Sequence, residues 1–408
     1  MKVLLVSQYF PPEDATIAAT IAHDLAYRGH EVRVLTGFPN YPHGKIFDGY
    51  PQRWRQYERH GDVDVLRVPL FADHSLNPVA RTANYASFGL SAATARSFAQ
   101  DVDVVYIYAT QMTPALGPWL WRILGGAPYV LHVQDLWPDS ITGSSLVGGS
   151  RAGKAIDAAL NPWLRNVYRR AGGVIGIAPT MVETLIERGA PAERTSLVYN
   201  WANEDDPSKY QKRPADDPRV RFLYAGNVGD MQDVETIVRA AKLAEDAPVK
   251  VTVIGGGVAK ERVQKVAAEL DVTNVEFRDP VPLEDMADVY AEADFSLVTL
   301  KDLPNFRGTI PSKFQSSLAE GLPVVTTVQG DLRGLVEDLD LGFTAESEDP
   351  ASLAAAMRQA AALTAVGYDE LRRRTRETYY REFSLHSGLD AIEATLVDAA
   401  GVRELQNN

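Results

Sequence analysis

Residues 306 to 325 read FRGTIPSKFQSSLAEGLPVV and set two cations, Arg307 and Lys313, around the start of a helix. Pro311 suits the first turn, Gly321 suits the stop, and FQSSLAE between them has helical spacing. The N–H groups of a helix start favour an anion by about 0.3–1 kcal/mol, too little to hold a diphosphate alone. Lys313, with Arg307 as its weaker partner, would add charge-assisted bonds of about 1.5–3 kcal/mol each if both point at one anion. The competing reading is two solvated charges at an ordinary helix start.

Other stretches offer related chemistry. In VTVIGGGVAKERV, Gly255, Gly256 and Gly257 join a strand to a helix, where backbone can approach a phosphate closely. A plain tight turn explains the same glycines, and a full dinucleotide fingerprint is missing. YVLHVQDLWPDS puts His132 and Asp135 at and just beyond a strand's carboxyl end, where a carboxylate can orient a hydroxyl; a turn cap is the alternative. The loops YFPPEDAT and LTGFPNYPHGKI also follow strands, and Glu13, Asn40 and Tyr41 are candidates for a polar acceptor. Asp62 with Asp64, and Asp101 with Asp103, have a metal-like spacing, but both pairs precede strands. That is the end of a parallel sheet away from its ligands, so no metal is expected. The seven histidines show no paired ligand spacing.

The elements that must position these residues follow from hydrophobic patterning. KVLLVS, HEVRVLTG, DVVYIYA, PYVLHV and GGVIGIA alternate with amphipathic stretches such as TIAATIAHDLAYRG. Short apolar runs separated by helix-length segments predict parallel strands covered on both faces, a doubly wound α/β domain. The polar passage NWANEDDPSKYQKRPADDPRV, 200 to 220, reads as a linker. A second series then runs through RFLYAG, VKVTVIGGG, NVEFRD, DFSLVTL and LPVVTT. The fold class predicted is α/β, two doubly wound Rossmann-like domains facing across a cleft. Residues 1–204 with the C-terminal helices from about 375 to 408 form one domain, and 205–374 the other.

The chain has 408 residues and a formal net charge of −13, which argues against a nucleic-acid partner. It has no cysteine, which excludes disulfides and thiolate chemistry. The opening MKVLLVSQYFPPE lacks a small-residue cleavage site and reads as a buried strand. TPALGPWLWRILGGAPYVL is too broken by Gly, Pro and Arg122 for a membrane span. A cytoplasmic protein is expected, with contact to the inner membrane surface left open. In IDAALNPWLRNVYRR, Trp163 and Tyr168 among Arg165, Arg169 and Arg170 invite a lipid-surface reading, whereas Ile156, Leu160, Leu164 and Val167 have ordinary core spacing.

The chain resembles glycosyltransferase family 4, with the two-Rossmann fold called GT-B. The likeness runs through SQYFPPE, RGHEVRVLTGFPNYPHGK, QDLWPDS, YAGNVGDMQDVETIVRAA, NVEFRDPVP and IPSKFQSSLAEGLPVV, and is greatest to the branch that builds bacterial surface polysaccharides, including transferases of N-acetylated deoxyhexosamines. The resemblance implies a retaining, metal-independent enzyme without cofactor. Its donor would be a nucleotide-diphosphate sugar, of UDP-hexosamine type, and its acceptor a glycan or a lipid-linked glycan. It implies that Gly226, Gly255 and Gly256 approach the nucleotide, that backbone at Val281 meets the base, and that Thr309, Ile310, Ser312 and Lys313 face the diphosphate. Departures are equally specific. Asn227 and Gln232 stand where many members carry Arg and Lys, Gln134 replaces a His, and Gly308 and Ser316 replace two glutamates that contact the sugar and the ribose. A serine in place of a charged ribose acceptor would weaken binding roughly tenfold. These departures keep alive a non-catalytic partner subunit, and the fold also admits a nucleotide-sugar epimerase.

Overall fold

The computed structural model describes residues 1–14, 16–75, 77–139, 151–202, 204 and 217–407, so most of the expected linker lies outside the described residues. The chain forms two compact units, Met1–Val198 with Leu389–Asn408, and Tyr199–Gly388. The C-terminal return to the first unit therefore falls at Leu389 and not near 375. The reason is packing: Tyr379 and Phe383 are fully buried among Phe314, Leu318, Val324 and Leu332 of the second unit.

The first unit holds β1 (Lys2–Val6), β2 (Glu31–Gly37), β3 (Gln56–His60), β4 (Val63–Val68), β5 (Val104–Ala109), β6 (Tyr129–Val133), β7 (Gly173–Gly176) and β8 (Thr195–Leu197) in the order β3-β4-β2-β1-β5-β6-β7-β8. All pairs are parallel except β3 with β4. Strands β1, β5 and β6 are almost wholly buried, as continuous apolar runs in a doubly covered sheet must be. The helices are α1 (Thr16–Tyr27), α2 (Pro78–Ala93), α3 (Leu116–Ile123), α4 (Arg151–Arg170) and α5 (Pro179–Glu187). Asn77 starts α2 by accepting the N–H groups of Val79 and Ala80.

The second unit is an all-parallel six-stranded sheet, β11-β10-β9-β12-β13-β14. Its strands are β9 (Val220–Ala225), β10 (Val249–Ile254), β11 (Val275–Arg278), β12 (Phe295–Val298), β13 (Val324–Thr326) and β14 (Gly342–Thr344). Its helices are α6 (Val234–Leu243), α7 (Lys260–Glu269), α8 (Met286–Ala291), α9 (Ser312–Ala319), α10 (Asp331–Asp338), α11 (Pro350–Ala361) and α12 (Ala365–Thr378). After a π-helical turn at Tyr379–Phe383, α13 (Leu385–Asn407) carries the chain back to the first unit.

Candidate active site

In the second sheet the strand order reverses between β9 and β12, and ligands of open α/β sheets settle outside the carboxyl ends of the strands at such a reversal. Gly226 closes β9 at φ +134°, and Lys313 on the first turn of α9 reaches back over it. A Cβ at Gly226 would stand 2.6 Å from Lys313 Cε and 2.9 Å from Nζ. The ammonium lies 5.1 Å from the centre of the Tyr224 ring, a cation–π contact. Among the described residues no carboxylate pairs with it, and burial pushes its pKa below the ordinary lysine value.

The glycine turn after β10 packs directly on this spot. Gly255 has φ +150°, and a Cβ there would fall 1.8 Å from the Gly226 carbonyl oxygen. Val228 N–H donates to Gly256 O at 2.8 Å, locking the two loops together. Asn227 Nδ2 donates to Gln232 Oε1 at 3.3 Å, so the two uncharged replacements satisfy one another. Thr299 Oγ1 donates to Gln232 O at 2.6 Å, tying in the loop after β12. Gly226, Asn227, Gln232, Gly255, Gly256 and Lys313 are thus brought together as the sequence suggested. Tyr224, which supports the ammonium, was missed; its signal was an aromatic near the end of β9, two residues before the glycine.

The rest of the donor-side set is distributed as follows. No side chain caps α9, where Ser312 is exposed, and Pro311 sits at the N-cap, one position before the first helical turn. Thr309 N–H donates to Phe306 O at 3.0 Å. Ile310 packs on the cluster around Phe314 and Val328, and Val281 on Leu223, Ala225 and Ile254. The Ser316 hydroxyl bonds the Tyr290 hydroxyl, whose pKa burial raises to about 12. Arg307 requires a correction: its guanidinium forms a two-pronged pair with Asp302, at 2.8 and 2.6 Å, on the surface. It is committed to a carboxylate and does not assist Lys313.

In the first sheet the reversal lies between β1 and β5. There Gln111 Nε2 donates to Gln8 Oε1 at 2.5 Å and Gln8 Nε2 to Asn84 Oδ1 at 2.7 Å, a buried amide chain under the loops. Two acceptor candidates prove structural. Glu13 is 4% exposed, and its carboxylate accepts the N–H groups of Asn40, Tyr41 and Phe10 at 2.7, 2.8 and 3.2 Å. Burial pushes its pKa up, opposed by those three bonds. It clamps the loop after β2 to the loop after β1. His132 is fully buried, shares a hydrogen bond of 2.5 Å with the Tyr106 hydroxyl, and is lowered to about 3 by burial. It stays neutral inside the sheet and cannot meet an acceptor. Asn40 is also fully buried, its amide donating to Phe38 O at 3.0 Å.

Tyr41 and Asp135 remain open to solvent. Tyr41 belongs to an aromatic group that sequence reasoning did not assemble: its ring centre lies 5.4 Å from Tyr9 and 5.0 Å from His74. Tyr85 meets Trp137 edge-on at 5.9 Å and accepts a bond from Arg81 at 3.2 Å. Asp135 follows β6, its pKa raised by partial burial; burial, and then the Asp135 charge, raises that of Tyr108. Of the paired aspartates, Asp103 accepts the Lys2 N–H at 2.7 Å and Asp62 lies 4.0 Å from Arg59. Among the described residues, no three histidines or carboxylates converge as a metal site would require.

Comparison with known proteins assigns both units. Residues 15–201 match the glycosyl transferase 4-like domain and residues 219–362 the glycosyl transferases group 1 domain. The putative colanic acid biosynthesis glycosyl transferase WcaI of Escherichia coli strain K12 is 28% identical over 88% of this chain and 92% of its own length. A GDP-mannose-dependent alpha-mannosyltransferase of Mycobacterium tuberculosis is 23% identical over 82% of this chain and 81% of that protein. The crystal structure of Anabaena HepE in complex with UDP superposes at a TM-score of 0.66, with 16% identity, over 97% of this chain and all of that one. The chain belongs to the family 4 glycosyltransferases and has their two-domain GT-B fold.

Proposed function

We propose that this enzyme transfers a sugar, with retention at the anomeric carbon, from a nucleotide-diphosphate donor of UDP-hexosamine type to a glycan or lipid-linked glycan in surface-polysaccharide synthesis. The observation that carries the reading is Lys313: a half-buried ammonium at the strand-order reversal, over a glycine and an aromatic ring, with no carboxylate among the described residues to neutralise it. Such a charge costs desolvation unless an anion supplies the partner. A diphosphate at the Gly226 and Gly255 turns is that anion. In the step proposed, the anomeric carbon–phosphate oxygen bond breaks as the acceptor oxygen bonds the same carbon on the same face. The acceptor proton passes to the leaving phosphate oxygen. Lys313 stabilises the charge that develops there. Asp135 orients the acceptor hydroxyl, and the exposed ring of Tyr41, backed by Tyr9, offers a surface for a sugar. No metal or protein nucleophile is assigned. With a lipid-linked acceptor the enzyme works at the cytoplasmic face of a membrane.

WcaI is named for colanic acid, a polysaccharide, and HepE was crystallised with UDP, which supports the substrate class; the mannosyltransferase uses GDP-mannose, so the base must be measured. A non-catalytic subunit is the second reading, favoured by the Asn227–Gln232 pair, which meets its own needs and brings no charge to a phosphate. Thermal unfolding with UDP, GDP, ADP and dTDP separates the two. A ligand at 100 times its dissociation constant adds about 2.7 kcal/mol, a shift of a few degrees. Selective stabilisation by UDP is expected, followed by turnover of a UDP-sugar. No shift with any nucleotide would put the non-catalytic reading first.

A further inference from the structure

Helices α2, α3 and α4 pack side by side on the first sheet. Trp121 Nε1 donates to Ala93 O at 3.0 Å, and Trp119 meets Trp163 edge-on with ring centres 6.3 Å apart. Leu164 and Val167 of α4 point into the core, as their spacing suggested, and so does Tyr168, which the lipid-surface reading had placed outside. The outer side of α3 behaves differently. Leu120, Ile123 and Leu124 are 37%, 46% and 60% exposed, and Leu90 of α2 is 62% exposed. Single exposed aliphatics need no explanation, but three within five residues, at a helix end with another on the helix beside it, form an apolar ridge.

Cations frame the ridge. Arg96 donates to the Leu124 carbonyl at 3.1 Å. Arg170 donates to Asn166 Oδ1 at 3.0 Å, the same atom that accepts Trp119 Nε1 at 2.8 Å, which sets this arginine beside α3. Arg169 is exposed on the same helix, whereas the stem of Arg165 lies against Gly189 and takes no part in the frame. The sequence gives these helices a sign opposite to that of the chain. Against a net charge of −13 overall, α2, α3 and α4 carry seven Lys and Arg and a single acid, Asp157. Between residues 74 and 134 the only acids are Asp101 and Asp103, both just before β5, and Asp103 is bonded to the Lys2 N–H.

From this combination we infer that the α2–α3–α4 face docks on an anionic lipid surface, with Ile123 and Leu124 entering the headgroup boundary and Arg96, Arg169 and Arg170 meeting lipid phosphates. A second copy of the chain is a poorer fit, because the same face on both partners would oppose seven basic residues with seven, and one acid in these helices is too few to meet them. The inference deepens the reading of a lipid-linked acceptor by naming the surface that meets the lipid, yet vesicle binding requires neither donor nor acceptor.

The test uses the whole chain and two vesicle preparations, phosphatidylcholine alone and phosphatidylcholine mixed with phosphatidylglycerol. Flotation with the mixed vesicles only, weakening as salt is raised, is the expected result. Arg169→Gln with Arg170→Gln should lower the partition coefficient about 25-fold, roughly fivefold for each charge. Ile123→Asp with Leu124→Asp should abolish flotation and leave the unfolding midpoint nearly unchanged, since both sites face water. Equal flotation with neutral vesicles, or indifference to both double variants, overturns the proposal. So does a dimer that the aspartate pair dissociates, which would make the ridge a self-interface. A chain that turns over a UDP-sugar but ignores both vesicles would overturn the docking and leave the transferase reading standing.

Discussion

Lys313 joins a stability liability to the anion-binding role proposed for it, and the two can be separated. Its ammonium is half buried over Tyr224 with no carboxylate beside it among the described residues. Lys313→Met keeps the stem and removes the charge, so it should stabilise the free protein by about 0.5–2 kcal/mol in chemical denaturation while losing the nucleotide-induced shift. A gain in stability with the shift retained would remove Lys313 from the site. The titration has a definite sign. Burial lowers the Lys313 pKa in the free protein, and a bound diphosphate raises it. Binding between those two values must take up a proton, so affinity falls as pH rises on the alkaline side, below the ordinary lysine value of about 10.4. Calorimetry in buffers of different ionisation heat should register that uptake, and Lys313→Arg, which stays protonated, should abolish it. The position of Lys313 was legible, because Pro311 and Gly321 bracket a helix that starts beside it; that it is partly buried over Gly226, and not a solvated charge, was not. Glu13 and His132 were misread because the sequence shows the residue type but not whether it faces solvent. Arg307 was misread although its partner, Asp302, stands only five residues earlier.

At the scale of elements, the site depends on two backbone turns touching without side chains. Gly255→Ala would press a methyl within 1.8 Å of the Gly226 oxygen, from a backbone angle that L residues rarely adopt. Neither backbone can yield without moving a central strand, β9 or β10. The expected cost is at least about 3 kcal/mol, and the second unit should unfold early or not fold. Gly334→Ala is the control. It lies in α10 with nothing within 4 Å of the added methyl, and should raise stability by about 0.4–1 kcal/mol. Equal effects in parallel denaturation curves would mean that the turns are not in the contact described. The strands flanking these glycines were readable as short β-branched and aromatic runs, VRFLYA and VKVTVI, broken only by Arg221, Lys250 and Thr252. The elements that escaped had no such signal. β3 is QYERH, a polar edge strand paired antiparallel to β4, and β8 and β14 are three residues each, too short to show a period.

For the whole molecule, the second unit is inserted into the first, since the chain leaves at Tyr199 and returns at Leu389. The two crossings are bonded within the second unit: Tyr199 stacks on Phe383 at 4.4 Å, and Glu204 accepts from the Tyr379 hydroxyl at 3.2 Å and the Leu385 N–H at 2.7 Å. Beyond them, α13 completes the first unit by burying Leu389, Ile392, Leu396 and Ala399, and its Glu393 bonds His30 and Arg28, each at 2.7 Å. His30 and then Arg28 hold the Glu393 carboxyl below its ordinary value. A carboxylate lowered by folding contributes stability above its unfolded pKa and loses it as pH falls through the folded one. Glu393→Gln should therefore cost about 0.5–1 kcal/mol near neutrality, discounted for its partial exposure, and the difference from the natural chain should close below the folded pKa. The two units then report separately in calorimetry. UDP should raise the transition of Tyr199–Gly388, whereas Glu393→Gln should lower the transition of the unit that α13 completes. If UDP and the substitution moved the same transition together, folding of the first unit would be tied to the donor site, and the two-unit description of stability would fail.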